Sequence, residues 1–102
     1  MKSKRAKACD ISLKVRRAVF ERDNNGICIL CGRPGSPNSH YLPRSSGGLG
    51  IEQNIVTMCV ECHHKLDNTS ERKNLLAFVK AYLDEKYPDF PDEKRVYRRG
   101  EE

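Results

Sequence analysis

The chain has 102 residues and a mass of 11.7 kDa, which is enough for one small domain. Hydrophobic residues make up only 37% of it and charged residues 32%, so the core of such a short chain provides marginal stability. Lys and Arg total 19 against 14 Asp and Glu, and the net charge of +5 favours nucleic acid as the partner. No apolar run approaches the ~20 residues of a membrane span. We therefore expect a soluble, cytoplasmic protein with no membrane partner.

The first half of the chain predicts a basic arm, a helix and two short strands. Residues 1–11 carry a cluster of cations and predict a flexible arm. Ser12 is a good N-cap, and the apolar spacing after it predicts a helix over about 12–23. Residues 27–35 predict a short strand with a tight turn, and 38–43 alternate as a second short strand does.

The second half predicts one more strand, two helices and a tail. The apolar run 55–58 predicts a strand, and residues 59–68 predict a short helix. Apolar residues recur at helical spacing over 70–86, and this helix ends at Pro88. The mixed charges of residues 88–102 predict a charged tail.

Two Cys-x-x-Cys pairs, Cys28 with Cys31 and Cys59 with Cys62, predict a structural zinc site. Zn²⁺ takes four donors in a tetrahedron, and each Cys-x-x-Cys turn directs two sulfurs to one point. A disulfide framework is the alternative, but a bridge within Cys-x-x-Cys is strained and nothing marks the chain as secreted. A redox motif needs only one such pair. Cys9 is left over, and we interpret it as a bystander thiol.

Three blocks of the sequence, in this order, resemble the HNH endonucleases, and above all the small zinc-stapled type common in bacteriophages. The blocks are residues 28–32 (CILCG), 39–48 (SHYLPRSSGG) and 52–63 (EQNIVTMCVECH). The resemblance implies an α+β fold with a ββα-metal (His-Me finger) core and a four-Cys zinc knuckle pair. An N-terminal and a C-terminal helix would flank this core, within a nuclease domain over residues 12–87.

The resemblance also implies roles for three polar residues. His40 is the expected general base that takes a proton from water, and Asn54 is expected to brace the loop carrying His40 through hydrogen bonds to backbone. His63 is the expected ligand of a catalytic divalent cation such as Mg²⁺, Mn²⁺ or Ni²⁺. An imidazole suits the first task because it titrates near neutral pH, and a divalent cation stabilises charge on a phosphoryl group.

One position departs from the family pattern. Members usually have Asp or His, as a metal ligand, immediately before the general base, and this chain has Ser39 there. Asp67 is the candidate replacement, because it lies one helical turn from His63, although a surface acid is an equal reading. Arg44 is a candidate phosphate contact or a solvated loop charge.

These observations predict a metal-dependent endonuclease that cuts DNA. Phage relatives of this type often act with a terminase in genome packaging, so the resemblance makes a terminase an expected partner beside DNA. The alternative is a non-catalytic, zinc-stapled nucleic-acid-binding module that has lost catalytic metal binding through Ser39. Basic charge and structural zinc fit both, whereas His40, Asn54 and His63 together in register favour the enzyme.

Overall fold

The computed structural model describes residues 3–98, which form a small α+β fold. Its regular elements, in chain order, are α1 (Lys4–Cys9), α2 (Leu13–Arg22), β1 (Ser36–His40), β2 (Ile55–Met58), α3 (Val60–Asn68) and α4 (Arg72–Lys86). Short 3₁₀ turns lie at Arg44–Ser46 and Asp92–Arg95. Within the described part of the chain, no helix combines the length and the apolar character needed to cross a membrane.

The two strands form one antiparallel sheet, which places His40 at a strand end. Ser39 lies opposite Val56 and His40 opposite Ile55, while an irregularity interrupts the pairing between Ser36 and Ser39. Every residue of β2 is buried. The sheet is therefore the centre of the fold, and helix α3 begins two residues after β2 ends.

The core lies between β2, α3, α4 and the cysteine pairs. Its buried members are Cys28, Tyr41, Val56, Met58, Cys59, Cys62, Leu66, Val79 and Leu83. The cysteines therefore belong to the core itself. Because this apolar cluster is small, its stability depends on how the four thiols are held together.

The predicted helices are confirmed, and the strands are present with changes. The helices expected at about 12–23, 59–68 and 70–86 appear as α2, α3 and α4. The segment 27–35 contains turns closed by a single bridge between Ile27 and Pro34 instead of a strand. The strand expected over 38–43 ends at His40, because the side chain of Asn54, and not a strand partner, bonds the backbone of Leu42.

The N-terminal segment differs from the flexible arm expected over residues 1–11. Lys4–Cys9 form α1, which Ser3 caps by accepting a hydrogen bond from the N–H of Ala6. The guanidinium of Arg5 donates to the carbonyl oxygen of Ser45 at 3.0 Å, and the N–H of Gly50 donates to that of Ala8 at 2.9 Å. These hydrogen bonds dock α1 on the domain, although its positive charges had predicted a solvated arm. The arm's first two residues lie outside the described residues.

The described part of the expected tail is also packed against the domain. The side chain of Arg95 is fully buried, and its Nε donates to the carbonyl of Gln53 at 2.6 Å. Its guanidinium also lies over the rings of Tyr41 and Phe90. Residues 99–102 of the tail lie outside the described residues. The folded domain therefore continues through residues 88–98, beyond the end at residue 87 that the sequence analysis predicts.

Candidate active site and cysteine cluster

The four predicted zinc ligands come together in space. Cys28 and Cys31 lie in the turn before β1, whereas Cys59 caps α3 and Cys62 lies in its first turn. Their sulfur atoms all lie within 4.8 Å of one another, and the Sγ atoms of Cys31 and Cys59 are 3.5 Å apart. The prediction that both Cys-x-x-Cys pairs meet at one point is confirmed.

The cluster has the dimensions and chemistry that zinc requires. Four sulfurs at 2.3 Å from a tetrahedral ion lie about 3.8 Å from each other. Burial by itself raises the pKa of Cys28, but hydrogen bonds from the backbone of Cys59, Cys31 and Leu30 outweigh it and lower that pKa to about 7. Burial raises the pKa of Cys62, which favours the thiol until a cation is bound. These residues could therefore bind a structural zinc.

His40 is held from outside its own strand. Its Nε2 lies 2.9 Å from the carbonyl oxygen of Cys9, at the C-terminal end of α1. A carbonyl oxygen only accepts hydrogen bonds, so Nε2 carries the proton of the neutral ring. Nδ1 is then the unprotonated nitrogen, and its lone pair can accept a proton, as a general base must.

The surroundings of His40 favour its neutral form. Burial is the largest effect and lowers its pKa, while the bond to the carbonyl of Cys9 raises it. The positive charges of Arg44 and Arg16, together with His63, lower it further, so the net shift is downward. His63 itself contacts the side chain of Ser39, the neighbour of His40 in β1, so both histidines lie near the end of this strand.

Asn54 connects β2 to the loop that follows His40. Its side chain is fully buried, and its Oδ1 accepts from the N–H of Leu42 at 2.9 Å. Its Nδ2 donates to the carbonyls of Leu42 and Leu49, at 3.1 and 2.9 Å. One side chain thus satisfies three backbone groups of the 41–49 loop. All three hydrogen bonds go to backbone groups, so the contacts of Asn54 are structural and involve no reacting group.

His63 contacts two polar side chains, one on each ring nitrogen. Its Nδ1 lies 3.2 Å from the Oγ of Ser39, which is fully buried, and its Nε2 lies 3.1 Å from a carboxylate oxygen of Asp67. Asp67 is half exposed and also lies 3.7 Å from Arg72. A shallow cleft of about 270 Å³ borders His63 between β1 and α3. His64 is exposed on α3 and lines a second shallow depression together with His63 and Asp67.

Arg44 is tied to the N-terminal segment. Its guanidinium donates to the carbonyl oxygen of Cys9 at 2.9 Å and pairs with Asp10 at 2.7 Å. About half of its side chain is exposed, so the same group can still meet an anion from solution. Arg44 and His40 therefore share one backbone acceptor.

Two contributors to this site were missed by the sequence interpretation. Cys9 was interpreted as a bystander, and its thiol is indeed outside the cysteine cluster, but its carbonyl oxygen holds both His40 and Arg44. Ser39 was interpreted only as a lost ligand, yet it is the direct partner of His63. The role of Cys9 could not be predicted from its residue type, because the contact is made by its backbone carbonyl. The N-cap pattern at Ser3 was the one available indication that residues before Cys9 form a helix.

Comparison with known proteins gives partial support for a nuclease. No protein-family model matches the chain. The chain is 30% identical over 73 residues to the type IV methyl-directed restriction enzyme EcoKMcrA of Escherichia coli K12. That match takes in 62% of the chain and only 26% of the restriction enzyme, so the chain spans about a quarter of that relative's length. The chain is thus similar to part of a restriction endonuclease.

Proposed function

We propose that this protein is a metal-dependent endonuclease that hydrolyses DNA phosphodiester bonds. The observation that carries the proposal is the arrangement of His40, whose Nε2 is engaged by the carbonyl of Cys9, while His63 contacts Ser39, the residue next to His40. A protein that only binds nucleic acid has no need to hold an imidazole in one tautomer. The partial similarity to a restriction enzyme supports the same conclusion.

In this proposal His40 acts on water as a general base. Its lowered pKa keeps the ring neutral near pH 7, so that Nδ1 accepts the proton of the attacking water. The bond from Nε2 to the carbonyl of Cys9 becomes stronger as the ring takes on positive charge. A positioned general base typically accelerates such a step by about 10²–10⁴-fold. Asn54 is a positioning residue, because it orders the loop that follows His40.

The residues around His63 fit a weakly held divalent cation. Nε2 of His63 and a carboxylate oxygen of Asp67 lie 3.1 Å apart, while the hydroxyl of Ser39 lies at the other ring nitrogen, Nδ1. Mg²⁺-type ions commonly take one or two protein ligands and fill the remaining positions with water and substrate phosphate. When bound, such a cation would stabilise negative charge on the phosphoryl group and the leaving oxygen. Arg44 would add a phosphate contact beside His40.

The cysteine cluster has a separate task in this proposal. A zinc ion on Cys28, Cys31, Cys59 and Cys62 would join the turn before β1 to the start of α3. Because α3 carries His63 and β1 carries His40, this cross-link would fix the two halves of the site relative to each other. The similarity and the ββα order of β1, β2 and α3 support an assignment to the ββα-metal nucleases.

We propose strand cleavage as the activity, because the chain matches about a quarter of the methyl-directed enzyme EcoKMcrA. A role in phage genome packaging beside a terminase remains a prediction from the family resemblance.

A non-catalytic DNA-binding module is the second candidate, and one observation favours it. Among residues 3–98, the four cysteines are the only group of three or more His, Cys, Asp or Glu side chains close enough to bind one metal ion. Ser39 occupies the position where a stronger donor would complete a second group. A protein that binds DNA and one structural zinc, but no catalytic cation, would have one metal cluster and a weak donor at position 39.

A plasmid-nicking assay separates the two candidates. Supercoiled plasmid is incubated with zinc-loaded protein and Mg²⁺, Mn²⁺ or Ni²⁺, using wild type, His40→Ala and Asn74→Ala. We expect nicking by the wild type and by the control Asn74→Ala, at an exposed position of α4, and a loss of about 10²-fold or more in His40→Ala. Nicking that survives in His40→Ala would remove the assigned base. Salt-sensitive DNA binding without nicking in any cation would favour the binding module.

A further inference from the structure

Helix α2 presents an unusual outer face, on which apolar and basic side chains alternate. Leu13 is 64% exposed and Phe20 is 42% exposed, although apolar side chains of this size are usually buried. Arg16 and Arg17 lie between them in sequence, at the three- and four-residue spacing that places side chains on one side of a helix. We call this set of four residues the α2 face. It is separate from the side of α2 on which Val19 is buried.

The arginines of the α2 face differ from the others in the protein. Seven of the nine arginines in the described range donate hydrogen bonds to other groups of the chain. Arg16 and Arg17 are the two for which residues 3–98 provide neither a hydrogen bond nor an ion pair, and both are exposed. With two cations on adjacent positions against the single carboxylate of Glu21 in the same cleft, this surface attracts an anion such as a phosphate.

The ring of Phe20 is supported from below by backbone. A Cβ added at Gly26 would lie 2.5 Å from this ring, so the absence of a side chain there lets the ring rest on the turn. Gly26 also donates its N–H to the carbonyl of Phe20 at 3.1 Å. Beside the ring is a mostly apolar cleft of about 220 Å³, lined by Phe20 and Pro37 and by Arg16, Arg17 and Glu21. This volume is below the ~300–1,000 Å³ of cavities for drug-sized ligands, and suits one planar ring system.

The α2 face lies beside the region assigned to catalysis. Helix α2 packs on β1, the strand that ends at His40 and contributes Pro37 to the cleft. The positive charge of Arg16 is also among those that lower the pKa of His40. Because α2 packs on the β-strand that ends at His40, a DNA strand with a phosphate at His40 would continue over α2.

We propose that the α2 face binds the substrate strand, with a backbone phosphate at Arg16 and Arg17 and an unpaired nucleobase against Phe20 in the cleft beside Pro37. This inference rests on the proposed function and specifies its substrate as DNA with an unpaired base near the scissile bond. A base inside a duplex is stacked on both faces and cannot reach the ring, whereas a single strand, a bulge or a flap offers a free π-face. The exposed ring of Phe20 therefore favours DNA with an unpaired base, while Arg16 and Arg17 attract its phosphates.

The test measures binding without cleavage. Fluorescence anisotropy of a labelled oligonucleotide, as single strand, as perfect duplex and as a duplex with a one-base bulge, is recorded with the zinc-loaded full chain and no added divalent cation. We expect the single strand and the bulged duplex to bind more tightly than the perfect duplex. Phe20→Ala should weaken binding of the single strand by on the order of tenfold. The control Phe78→Ala, which removes the other exposed Phe on α4, should leave binding unchanged.

Further variants separate stacking from folding and from general charge. Phe20→Leu keeps apolar volume over Gly26 but removes the aromatic ring, so it should bind as poorly as Phe20→Ala while keeping the wild-type melting temperature. Arg17→Gln should reduce the slope of log affinity against log salt by about 0.7, the value for one phosphate contact on a single strand. Arg33→Gln removes an exposed arginine paired with Glu61 near the cysteine cluster and should leave this slope unchanged.

The outcomes distinguish this inference from the proposed function. If the wild type nicks plasmid but Phe20→Leu binds single strands as tightly as wild type, the α2 face is not the base site and the nuclease assignment stands. Equal affinity for bulged and perfect duplex would also overturn the inference. If Phe20→Leu binds poorly and no cation supports nicking, the α2 face is supported and the nuclease assignment fails.

Discussion

The Nε2 atom of His40 lies 2.9 Å from the carbonyl oxygen of Cys9, a residue 31 positions earlier in the chain. The same oxygen accepts a hydrogen bond from Arg44 at 2.9 Å. One backbone atom at the end of α1 therefore orients the two groups that the proposed mechanism places nearest the phosphate. The N-terminal segment is part of the site, although it contributes no reacting side chain.

Gly50→Ala tests this dependence on the N-terminal segment. A Cβ at Gly50 would overlap the backbone carbonyl of Asp10, so a methyl group there must push the end of α1 away from the loop. We expect kcat for plasmid nicking to fall by about 10²-fold because His40 loses its anchor, and KM for DNA to rise because Arg44 loses the same acceptor. Steady-state nicking kinetics on zinc-loaded protein measure both constants.

Gly32→Ala is the matched control for that substitution. Its Cβ would meet no atom within 4 Å, but its φ of +80° makes a side chain unfavourable by about 1 kcal/mol. This control should lose a little stability and keep its kcat. If both variants nick equally well, the carbonyl of Cys9 does not position His40.

Asn54→Ala should cost both stability and activity. It leaves the N–H of Leu42 and the carbonyls of Leu42 and Leu49 without their partner in a buried setting. Each such group costs about 1–3 kcal/mol, so we expect a fall in melting temperature of about 10 °C or more. Thermal unfolding followed by circular dichroism measures it. Asn74→Ala, at an exposed position of α4, should change neither melting temperature nor nicking.

Ser39→Asp should strengthen the binding of a catalytic cation. The substitution places a carboxylate beside Nδ1 of His63, where the family resemblance expects a stronger donor. We expect the Mn²⁺ concentration for half-maximal nicking to fall about tenfold. Because a buried carboxylate without a counter-charge is unfavourable, Mn²⁺ should also raise the melting temperature of this variant more than that of wild type.

Ser36→Asp controls for the added charge in that experiment. Ser36 lies on the same strand but is exposed, so its carboxylate stays in solvent. An equal shift of the Mn²⁺ requirement in both variants would mean that general charge, and not a ligand beside His63, is responsible.

Cys59→Ser should remove zinc and unfold the domain. Cys59 is one of the four clustered thiols, caps α3 and belongs to the small core. Binding of a structural zinc contributes directly to folding free energy, which this core cannot replace. We expect one zinc per chain by elemental analysis in the wild type and no cooperative melting in Cys59→Ser. Cys9→Ser, at a buried cysteine outside the cluster, should keep its zinc, and loss of zinc there would contradict the assignment.

Asp23 should make stability depend on pH. Burial alone would raise its pKa, but hydrogen bonds from Arg22, Tyr82 and the N–H of Thr57 hold that pKa below its ordinary value. Its carboxylate therefore stabilises the fold above the unfolded pKa of about 3.9, and this contribution is lost as pH falls through the lower folded value. Asp23→Asn should cost about 3 kcal/mol at pH 7.

Urea unfolding of wild type and Asp23→Asn at several pH values checks this expectation. The difference in free energy of unfolding should stay constant from pH 7 to about 5 and narrow below about pH 4, whereas protonation of the zinc ligands affects both proteins alike. Asp89→Asn, an exposed acid after α4, should follow the wild type at every pH. A constant difference across this range would mean that ionisation of Asp23 does not contribute.

Local pattern was sufficient to predict the three helices and the convergence of the cysteines. The apolar spacing of α2 and α4 follows the turn of a helix, and a Cys-x-x-Cys turn directs its two sulfurs to one point whatever the rest of the chain does. His40, Asn54 and His63 were found by family resemblance. Their functional roles remain predictions.

The amino-acid sequence alone determined the positions of α2, α3 and α4, because each helix depends on residues close together in the chain. Family resemblance implied the α+β class, and the two matching Cys-x-x-Cys pairs indicated a four-thiol site. Only the tertiary structure decided that the cations before Cys9 form a docked helix, that Arg95 is buried, and which atoms hold His40 and His63. Those outcomes depend on backbone carbonyls and side chains brought together across 24 or more positions. Every residue has the same backbone carbonyl group, so the sequence does not indicate which carbonyl oxygen accepts the hydrogen bonds of His40 and Arg44.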